Sequence, residues 1–304
     1  MEQRKTQRIH SISEFHRLRG LPKPEHPLIS VVDYSAVQRA ENISEVNWVL
    51  DYYSISLKRG IDGYLKYGQQ DYDFNEGVMF FISPNQVFRI EAQDKAHEEK
   101  SGWMLLIHPD FLWNTSLAKS IQQYDFFDYT VNEALFLSDK EEKTLDFIID
   151  SIRQEYHANI DKFSQNIIVS QIETLLSYSE RFYERQFITR KITNHQMLSR
   201  VEELLNAYFS GDAVKGLPTV QFIAQELNVS PNYLSRLLRT LTGQSTQQFI
   251  QDKVILRAKE RLSTTELSIS EIAYELGFEH PQSFTKLFRN KTNLSPSEFR
   301  ASFN

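Results

Sequence analysis

The stretch Ile223-Ala224-Gln225-Glu226-Leu227 is repeated 49 positions later as Ile272-Ala273-Tyr274-Glu275-Leu276. After one inserted residue the repeat continues at an offset of 50, where Ser235-Arg236-Leu237-Leu238-Arg239 corresponds to Thr285-Lys286-Leu287-Phe288-Arg289. Each copy has the pattern of a short amphipathic helix, a tight turn and a second helix, which is typical of a helix-turn-helix unit. The sequence therefore predicts two such units near the C-terminus.

The predicted turns contain Asn228 and Gly277 at positions where the chain should need a positive φ. Glycine takes such angles freely, and asparagine takes them more readily than most residues. In each second helix the apolar residues recur at helical spacing and are expected to be core, namely Leu234, Leu237, Leu238, Leu241, Phe284, Leu287 and Phe288. The polar residues therefore share the opposite face.

Residues 246–262 are predicted to form one helix between the two units, with apolar positions that include Phe249, Val254, Leu256, Ala258 and Leu262. At 1.5 Å per residue this helix spans roughly 25 Å. With its flanking loops it can hold two recognition helices about one turn of DNA apart, roughly 34 Å. The two second helices would then enter successive major grooves on one face of the duplex.

This arrangement resembles the DNA-binding domain of the AraC family of bacterial transcription regulators, in which a long helix joins two helix-turn-helix units. The most diagnostic segments are residues 272–278, 283–289 and 295–300. Asn293 stands where the family usually has glycine, and asparagine is the next best residue for a left-handed helix cap. Pro281 suits a first helical turn, although it removes a side chain that could have reached DNA.

The resemblance implies double-stranded DNA as a partner, and RNA polymerase as a further partner of a regulator. Carried over by position, it implies base contacts by Asn232, Ser235, Arg236, Gln282, Thr285 and Lys286. It implies phosphate contacts by Arg239, Arg289 and Lys291. A single helix-turn-helix can also be two packed helices or a protein-docking module, but two copies at this spacing favour DNA binding.

The amino-acid composition limits which other classes of protein this chain can belong to. The chain has 304 residues, 40% of them hydrophobic, which is enough for two ordinary domains. The absence of cysteine excludes disulfides, thiolate metal sites and the thiol-based methyl transfer of some DNA-repair proteins. No apolar run approaches the length of a membrane span. We therefore expect a soluble cytoplasmic protein without a membrane partner.

The net charge of −6 is unevenly distributed along the chain. Residues 195–304 carry 12 Lys and Arg against 11 Asp and Glu, whereas the upstream residues carry 22 against 29. No acidic residue lies between Asn232 and Gln251, or between Pro281 and Glu298. The cations of the two predicted recognition helices are therefore concentrated, as attraction to a phosphate backbone requires.

Upstream, residues 28–107 contain short runs of β-branched and aromatic residues separated by turn residues, which favours a small antiparallel barrel or jelly roll. The predicted strands are residues 52–57, 64–67, 78–82, 86–90 and 103–107. The segment from Gly77 to Pro84 resembles part of a cupin. A cupin-type enzyme with a helical appendage is the alternative function, but it would need a metal-ligand set. The eight histidines lack the His-X-His pattern and Phe88 stands where a later ligand is expected, so we predict no catalytic residue, metal or cofactor.

In the AraC family such barrels commonly sense an effector, and the resemblance implies a small-molecule effector here. Aromatic residues in a small barrel are more often plain core, but one set would also suit a stacking pocket, namely Trp48, Tyr52, Tyr53, Tyr64, Tyr67 and Trp103. No residue is assigned to an effector. A regulator whose barrel binds no small molecule is therefore a second alternative.

Residues 139–187 predict two amphipathic helices, with apolar stripes at Leu145, Ile148, Ile149 and Ile152 and at Phe163, Ile167, Ile168, Ile172, Leu175, Leu176 and Tyr178. The resemblance implies that they form a homodimer, and the alternative is that they cover the barrel. The polar residues 184–194 are predicted to be a hinge, followed by a helix at residues 197–209.

The predicted fold class is α+β with two domains. Residues 1–187 would form a cupin-like, effector-sensing and dimerising domain, with an antiparallel β-barrel at about 28–107 and dimerisation helices at about 139–187. Residues 195–304 would form an all-α double helix-turn-helix domain. The sequence leaves open whether the regulator is an activator or a repressor, and which operator it binds.

Overall fold

The structure is a computed structural model, and it describes residues 6–38, 46–59, 77–88, 101–129, 133–158, 161–189, 191–210 and 216–302. The chain divides into two compact units, Met1–Thr189 and Arg190–Asn304. The described strands all lie in the first unit, whereas the second is helical. This agrees with a sheet-rich N-terminal region followed by a helical C-terminal region.

The strands of the first unit form two sheets. Their bounds are β1 Thr6–Ile9, β2 Ile29–Asp33, β3 Asn47–Leu50, β4 Tyr53–Arg59, β5 Val78–Ile82, β6 Val87–Phe88, β7 Ser101–Ile107 and β8 Leu135–Phe136. One sheet has the order β1-β3-β6 and the other β2-β7-β4-β5-β8. Among the described strands the sheets do not close into a barrel, and β1 pairs with β3 in parallel. The predicted strand at residues 64–67 lies outside the described residues.

The register of the five-stranded sheet assigns its side chains to two faces. Leu106 of the central strand β7 lies opposite Ser30 of β2 and Ser54 of β4, so these three share one face. Leu106 also belongs to a buried cluster with Trp48 and Leu50 of β3. This face therefore packs against the three-stranded sheet, and the space between the two sheets is the interior of the first unit.

The helices of the first unit are α1 Ile12–Leu18, α2 Leu117–Ser120, α3 Asp139–His157 and α4 Ser164–Thr189. The other face of the five-stranded sheet is held by α3: the Trp103 indole nitrogen donates to Asp146 at 2.9 Å, and Arg59 forms an ion pair with Glu142 at 2.5 Å. Buried apolar side chains of α3 and α4 fill this layer. These contacts support the alternative that the two helices cover the sheet.

Two predicted features of this region differ from the structure. Phe163 and Ile167, assigned to the apolar stripe of α4, are 56% and 43% exposed. The predicted hinge at residues 184–194 does contain the boundary between the two units, after Thr189, but it is largely helical, because α4 runs to Thr189 and α5 begins at Lys191. The Gln186 side-chain amide accepts from the Phe136 backbone amide at 2.8 Å, so the end of α4 is hydrogen-bonded to β8 instead of forming a linker.

The aromatic residues proposed for a stacking pocket occupy different layers. Tyr53 and Trp103 lie on the sheet face that the helices cover, as their register in β4 and β7 shows. Trp48 and Tyr52 belong to the interior cluster between the sheets. All four are buried, and Tyr64 and Tyr67 lie outside the described residues.

The second unit contains α5 Lys191–Ser210, α6 Val220–Glu226, α7 Pro231–Thr242, α8 Thr246–Thr264, α9 Ile269–Glu275, α10 Pro281–Thr292 and α11 Pro296–Ala301. The predicted connecting helix is confirmed as α8, which joins the two helix-turn-helix units. Leu256 of α8, counted among the apolar positions, is 62% exposed. No helix in the described ranges is both long and apolar enough to cross a membrane.

Candidate nucleic-acid interface

The first helix pair, α6 and α7, is organised by its caps and its turn. The Thr219 hydroxyl accepts from the backbone amide of Phe222 at 3.1 Å, which begins α6 with a side-chain N-cap. Asn228 has φ 55°, and the following amide of Val229 donates to the Ala224 carbonyl at 2.9 Å. The chain thus ends α6 with Asn228 in the left-handed conformation, and α7 begins at Pro231 after this short turn.

The second pair, α9 and α10, repeats this geometry. Gly277 has φ 89°, and the amide of Phe278 donates to the Ala273 carbonyl at 2.9 Å. Ser268 and Glu271 form a capping box at the start of α9. At the end of α10 Asn293 has φ 62°, the left-handed cap that its sequence position predicts. The sequence repeat is therefore a repeat of backbone hydrogen bonding.

The apolar faces of the two second helices are core, as their periodicity predicts. The fully buried side chains are Leu234, Leu237, Leu238, Phe284 and Phe288, and Leu241 and Leu287 are half-buried. Small Ala224 and Ala273 are buried in the preceding helices. This packing turns the polar faces of α7 and α10 outward.

On α7 the four predicted DNA-contacting residues differ in exposure. Arg239 is exposed, whereas Asn232, Ser235 and Arg236 are half-buried. The Ser235 hydroxyl accepts from the Thr246 hydroxyl at 3.1 Å, which ties α7 to the start of α8. Ser235 therefore already has a role inside the domain.

On α10 Gln282, Lys286 and Arg289 are exposed. Thr285 is half-buried, and its hydroxyl donates to the Pro281 carbonyl one turn earlier at 3.1 Å. Its side chain is thus engaged with its own helix, while the three exposed residues extend from it.

Lys291 differs from the other predicted phosphate-contacting residues because it has a counter-ion. Its ammonium nitrogen lies 2.7 Å from Asp252 of α8, and the same carboxylate accepts from Gln244 at 2.8 Å. No local sequence pattern predicts this pair, because Asp252 and Lys291 are far apart in the chain. A phosphate would have to compete with Asp252 for Lys291.

Several cations of the second unit have a counter-ion. On α8, Lys253 meets Glu202 at 2.7 Å and Arg261 meets Glu275 at 2.5 Å. In the described part of the chain no ion pair is formed by Arg239, Lys286 or Arg289. These three cations lie on the second helices of the two pairs, where a polyanion would be bound.

The described residues of the chain contain no group of three or more His, Asp and Glu side chains placed to hold a metal ion. The two helix pairs are the candidate site.

The chain was compared with known proteins. A family model described as a helix-turn-helix domain matches residues 223–302. The uncharacterized HTH-type transcriptional regulator YfiF of Bacillus subtilis is 24% identical over 268 residues, which is 79% of this chain and 74% of that protein.

Two further relatives match mainly through the C-terminal region. The arabinose operon regulatory protein of Salmonella typhimurium is 30% identical over 140 residues, 46% of this chain and 47% of that protein, so the chain spans about half of its length. The regulatory protein SoxS of Salmonella typhimurium is 35% identical over 81 residues, 27% of this chain and 76% of that protein. With its doubled helix pairs and these relatives, the chain belongs to the AraC family of transcription regulators.

Proposed function

We propose that this protein binds a specific DNA sequence by placing α7 and α10 in successive major grooves, and that it regulates transcription from that site. The observation that carries the proposal is the duplicated backbone geometry, which presents Arg239 on α7 and Lys286 and Arg289 on α10; none of the three forms an ion pair within the described residues. Major grooves admit an α-helix, and their base edges distinguish all four base pairs. RNA polymerase is the partner through which such a regulator would act.

The residue roles are those that the family resemblance implies, and exposure and hydrogen bonding rank the residues within each set. We assign base contacts to Asn232, Ser235, Arg236, Gln282, Thr285 and Lys286, and phosphate contacts to Arg239, Arg289 and Lys291. Gln282 and Lys286 are the strongest candidates for base contacts, because both are exposed on α10. The hydroxyl groups of Ser235 and Thr285, in contrast, are already hydrogen-bonded within the domain. Lys291 is the weakest of the phosphate set, because DNA must displace Asp252 from it.

The test begins by retaining sheared DNA from the source organism on the purified full-length protein and sequencing it. Discrete sites, with half-sites about one helical turn apart, are expected. Lys286→Ala should then weaken binding to an enriched site by roughly 1–3 kcal/mol, and Arg236→Ala by a similar amount, if each makes a good base contact. Lys143→Ala is the matched control, because Lys143 is exposed on α3 in the other unit and its loss changes the net charge equally.

Phosphate contacts have a separate signature. Arg289→Ala should weaken binding to all sequences about equally and should lower the slope of log K against log salt by about one. Sequence-blind binding by the wild-type protein at moderate salt, with no enriched sites in the presence or absence of a metabolite extract, would refute specific recognition.

We further propose that the first unit dimerises the protein and responds to a small-molecule effector. The dimer proposal is supported by an exposed apolar patch, comprising Trp113 at 69%, Phe163 at 56% and Ile167 at 43%. The Gln165 side-chain amide donates to the Phe111 carbonyl at 2.6 Å and to the Trp113 carbonyl at 3.3 Å, which holds these segments together. Exposed apolar patches of this kind mark interaction surfaces.

A further inference from the structure

A carboxylate lies between the two helix pairs of the second unit. Asp252, on the connecting helix α8, has both oxygens engaged: Oδ1 lies 2.7 Å from the Lys291 ammonium nitrogen, and Oδ2 accepts from the Gln244 side-chain amide at 2.8 Å. Lys291 lies in the last turn of α10, and Gln244 directly follows Gly243, the C-cap of α7. One side chain thus joins donors from the ends of both second helices.

Asp252 interrupts the charge pattern of this region. The chain contains no acidic residue from Leu227 to Gln251, and none from His280 to Ser297. Asp252 is therefore the first acid after α7, and in the fold it pairs with a cation of α10. An acid at this position opposes the attraction of a polyanion to the two second helices.

A purely structural role would be that Asp252 fixes the distance between α7 and α10. Four large apolar side chains of α8 are buried, namely Phe249, Ile250, Val254 and Ile255. Their burial stabilises the domain far more than a partly exposed ion pair does. The Asp252 and Lys291 side chains are 40% and 28% exposed, so solvent reaches their contact. We therefore expect α8 to keep its position without Asp252.

The two donors around Asp252 are groups that also bind phosphate. Lysine ammonium and glutamine amide groups both donate to DNA phosphates. A carboxylate and a phosphate each offer two oxygens to a pair of donors. If α7 and α10 enter successive major grooves, a sugar-phosphate backbone must pass between them. The donors that meet at Asp252 come from the ends of those two helices.

We propose that Lys291 and Gln244 form a binding site for one backbone phosphate of DNA, and that Asp252 occupies this site in the free protein. On DNA a phosphate replaces the carboxylate, and the Asp252 side chain turns to solvent. This inference rests on the proposed DNA binding. It adds Gln244 to the phosphate contacts and makes Asp252 a residue that limits the affinity for every DNA sequence.

The salt dependence of binding distinguishes an occupied phosphate site from an open one. Each cation that neutralises a phosphate releases counter-ions and adds about 0.9 to the slope of log K against log salt. In the wild type the release at Lys291 is offset, because the displaced Asp252 carboxylate takes up a cation. Asp252→Asn has no such charge, so its slope should be steeper by about one. Its affinity should fall roughly threefold more than that of the wild type between about 50 and 200 mM salt.

The experiment measures binding of the full-length protein over this salt range to two duplexes, an enriched site and an unrelated sequence of equal length. Asp252→Asn should bind both more tightly by a similar factor, roughly two- to fivefold at the lower salt concentration, which corresponds to one exposed ion pair. Glu260→Gln is the matched control, because Glu260 also lies on α8 and pairs with Arg257 of the same helix at 2.6 Å. It removes the same charge and should leave the slope unchanged.

Two further variants show which donors bind the phosphate. Lys291→Ala should cost little affinity in the wild type, because the phosphate contact and the Asp252 contact offset each other. In Asp252→Asn the same change should abolish the gain in affinity and in slope. Gln244→Ala should reduce the gain in affinity without changing the slope, because the amide is uncharged.

The stability of Asp252→Asn is checked by thermal unfolding, and its midpoint should lie within a few degrees of the wild type. If the variant does not fold, two variants of the wild-type protein test the same point. Arg289→Ala should lower the slope by about one, whereas Lys291→Ala should lower it by much less, because Asp252 already neutralises Lys291.

The inference is overturned if Asp252→Asn binds both duplexes no more tightly than Glu260→Gln does, or if Lys291→Ala leaves the gain in place. Equal slope losses from Lys291→Ala and Arg289→Ala in the wild type would also overturn it. Tighter binding of the enriched site alone would contradict a phosphate site, because phosphate contacts are independent of sequence.

Each of these results leaves DNA recognition standing as long as the wild type retains discrete sites. A wild type that binds neither duplex would instead refute DNA binding itself, and the phosphate site with it.

Discussion

Phe288→Ala tests whether the second recognition helix is anchored as its packing indicates. The Phe288 ring is completely buried on α10. Its centroid lies 5.8 Å from that of Phe284 and 5.4 Å from that of Phe299, the latter in an edge-on arrangement. The ring thus joins α10 to α11, and alanine would leave a cavity between the two helices.

The expected loss of unfolding free energy follows from the complete burial of the Phe288 side chain. Removal of a buried phenylalanine side chain typically costs about 3–5 kcal/mol, because transfer free energy and the cavity both contribute. Two lost ring contacts place Phe288 in the upper part of that range, since aromatic pairs contribute about 0.5–1.5 kcal/mol beyond burial. Each kcal/mol lowers the midpoint of a domain of this size by roughly 4–8 °C, so unfolding should begin well over 10 °C earlier.

The assay is calorimetry of the full-length protein, combined with hydrogen exchange of the α10 amides to assign the transition to the second unit. Phe147→Ala is the control, because Phe147 is 74% exposed on α3 and should change stability by no more than about 0.5 kcal/mol. A Phe288→Ala protein destabilised by less than about 1 kcal/mol would refute the assignment of this ring to the core.

The remaining predictions concern a helix cap and the dimer. The Glu298 carboxylate accepts from the Ser295 backbone amide at 2.7 Å, and this hydrogen bond, with that of the Ser295 side chain, lowers the pKa of Glu298. The resulting stabilisation is present above the unfolded pKa of about 4.3 and is lost as the pH falls through the lower folded value. Glu298→Gln should therefore be less stable than the wild type at pH 7 and equal to it at about pH 2 by chemical denaturation; a difference independent of pH would exclude a role for the charge. Replacing both Phe163 and Ile167 by serine should convert a dimer into monomers in sedimentation experiments, and an intact dimer would exclude this patch as its interface.

Much of the second unit could be predicted because its determinants are local. Asn228, Gly277 and Asn293 have positive φ as expected, since the cost of a left-handed residue depends on its own side chain. The buried positions of α7 and α10 follow from helical periodicity. Leu256 is the exception, because periodicity identifies a face of α8 but not which neighbours cover it.

The polar contacts of the candidate site could not be predicted in the same way. Thr246 bonds Ser235 and Asp252 pairs with Lys291 across helices, so neither contact has a fixed sequence spacing. The predicted helices end at about residue 187, close to the observed end of α4 at Thr189, but the assignment of residues 184–189 to a hinge overlooked that polar residues can bond to a distant strand. Gln186 bonds to β8, and a strand partner some fifty positions away leaves no local signal.

The sequence by itself determined the duplicated helix pairs, their turns and the family, because each depends on residues within a few turns of one another. Only the tertiary structure decided that the strands form two sheets covered by α3 and α4, since strand pairing joins residues far apart in the chain. Only the tertiary structure shows that Arg19 is buried near Trp48 and Tyr52. The local sequence identifies it only as a charged residue after a short helix. Periodicity specifies which side of an element is apolar, whereas packing decides what meets it.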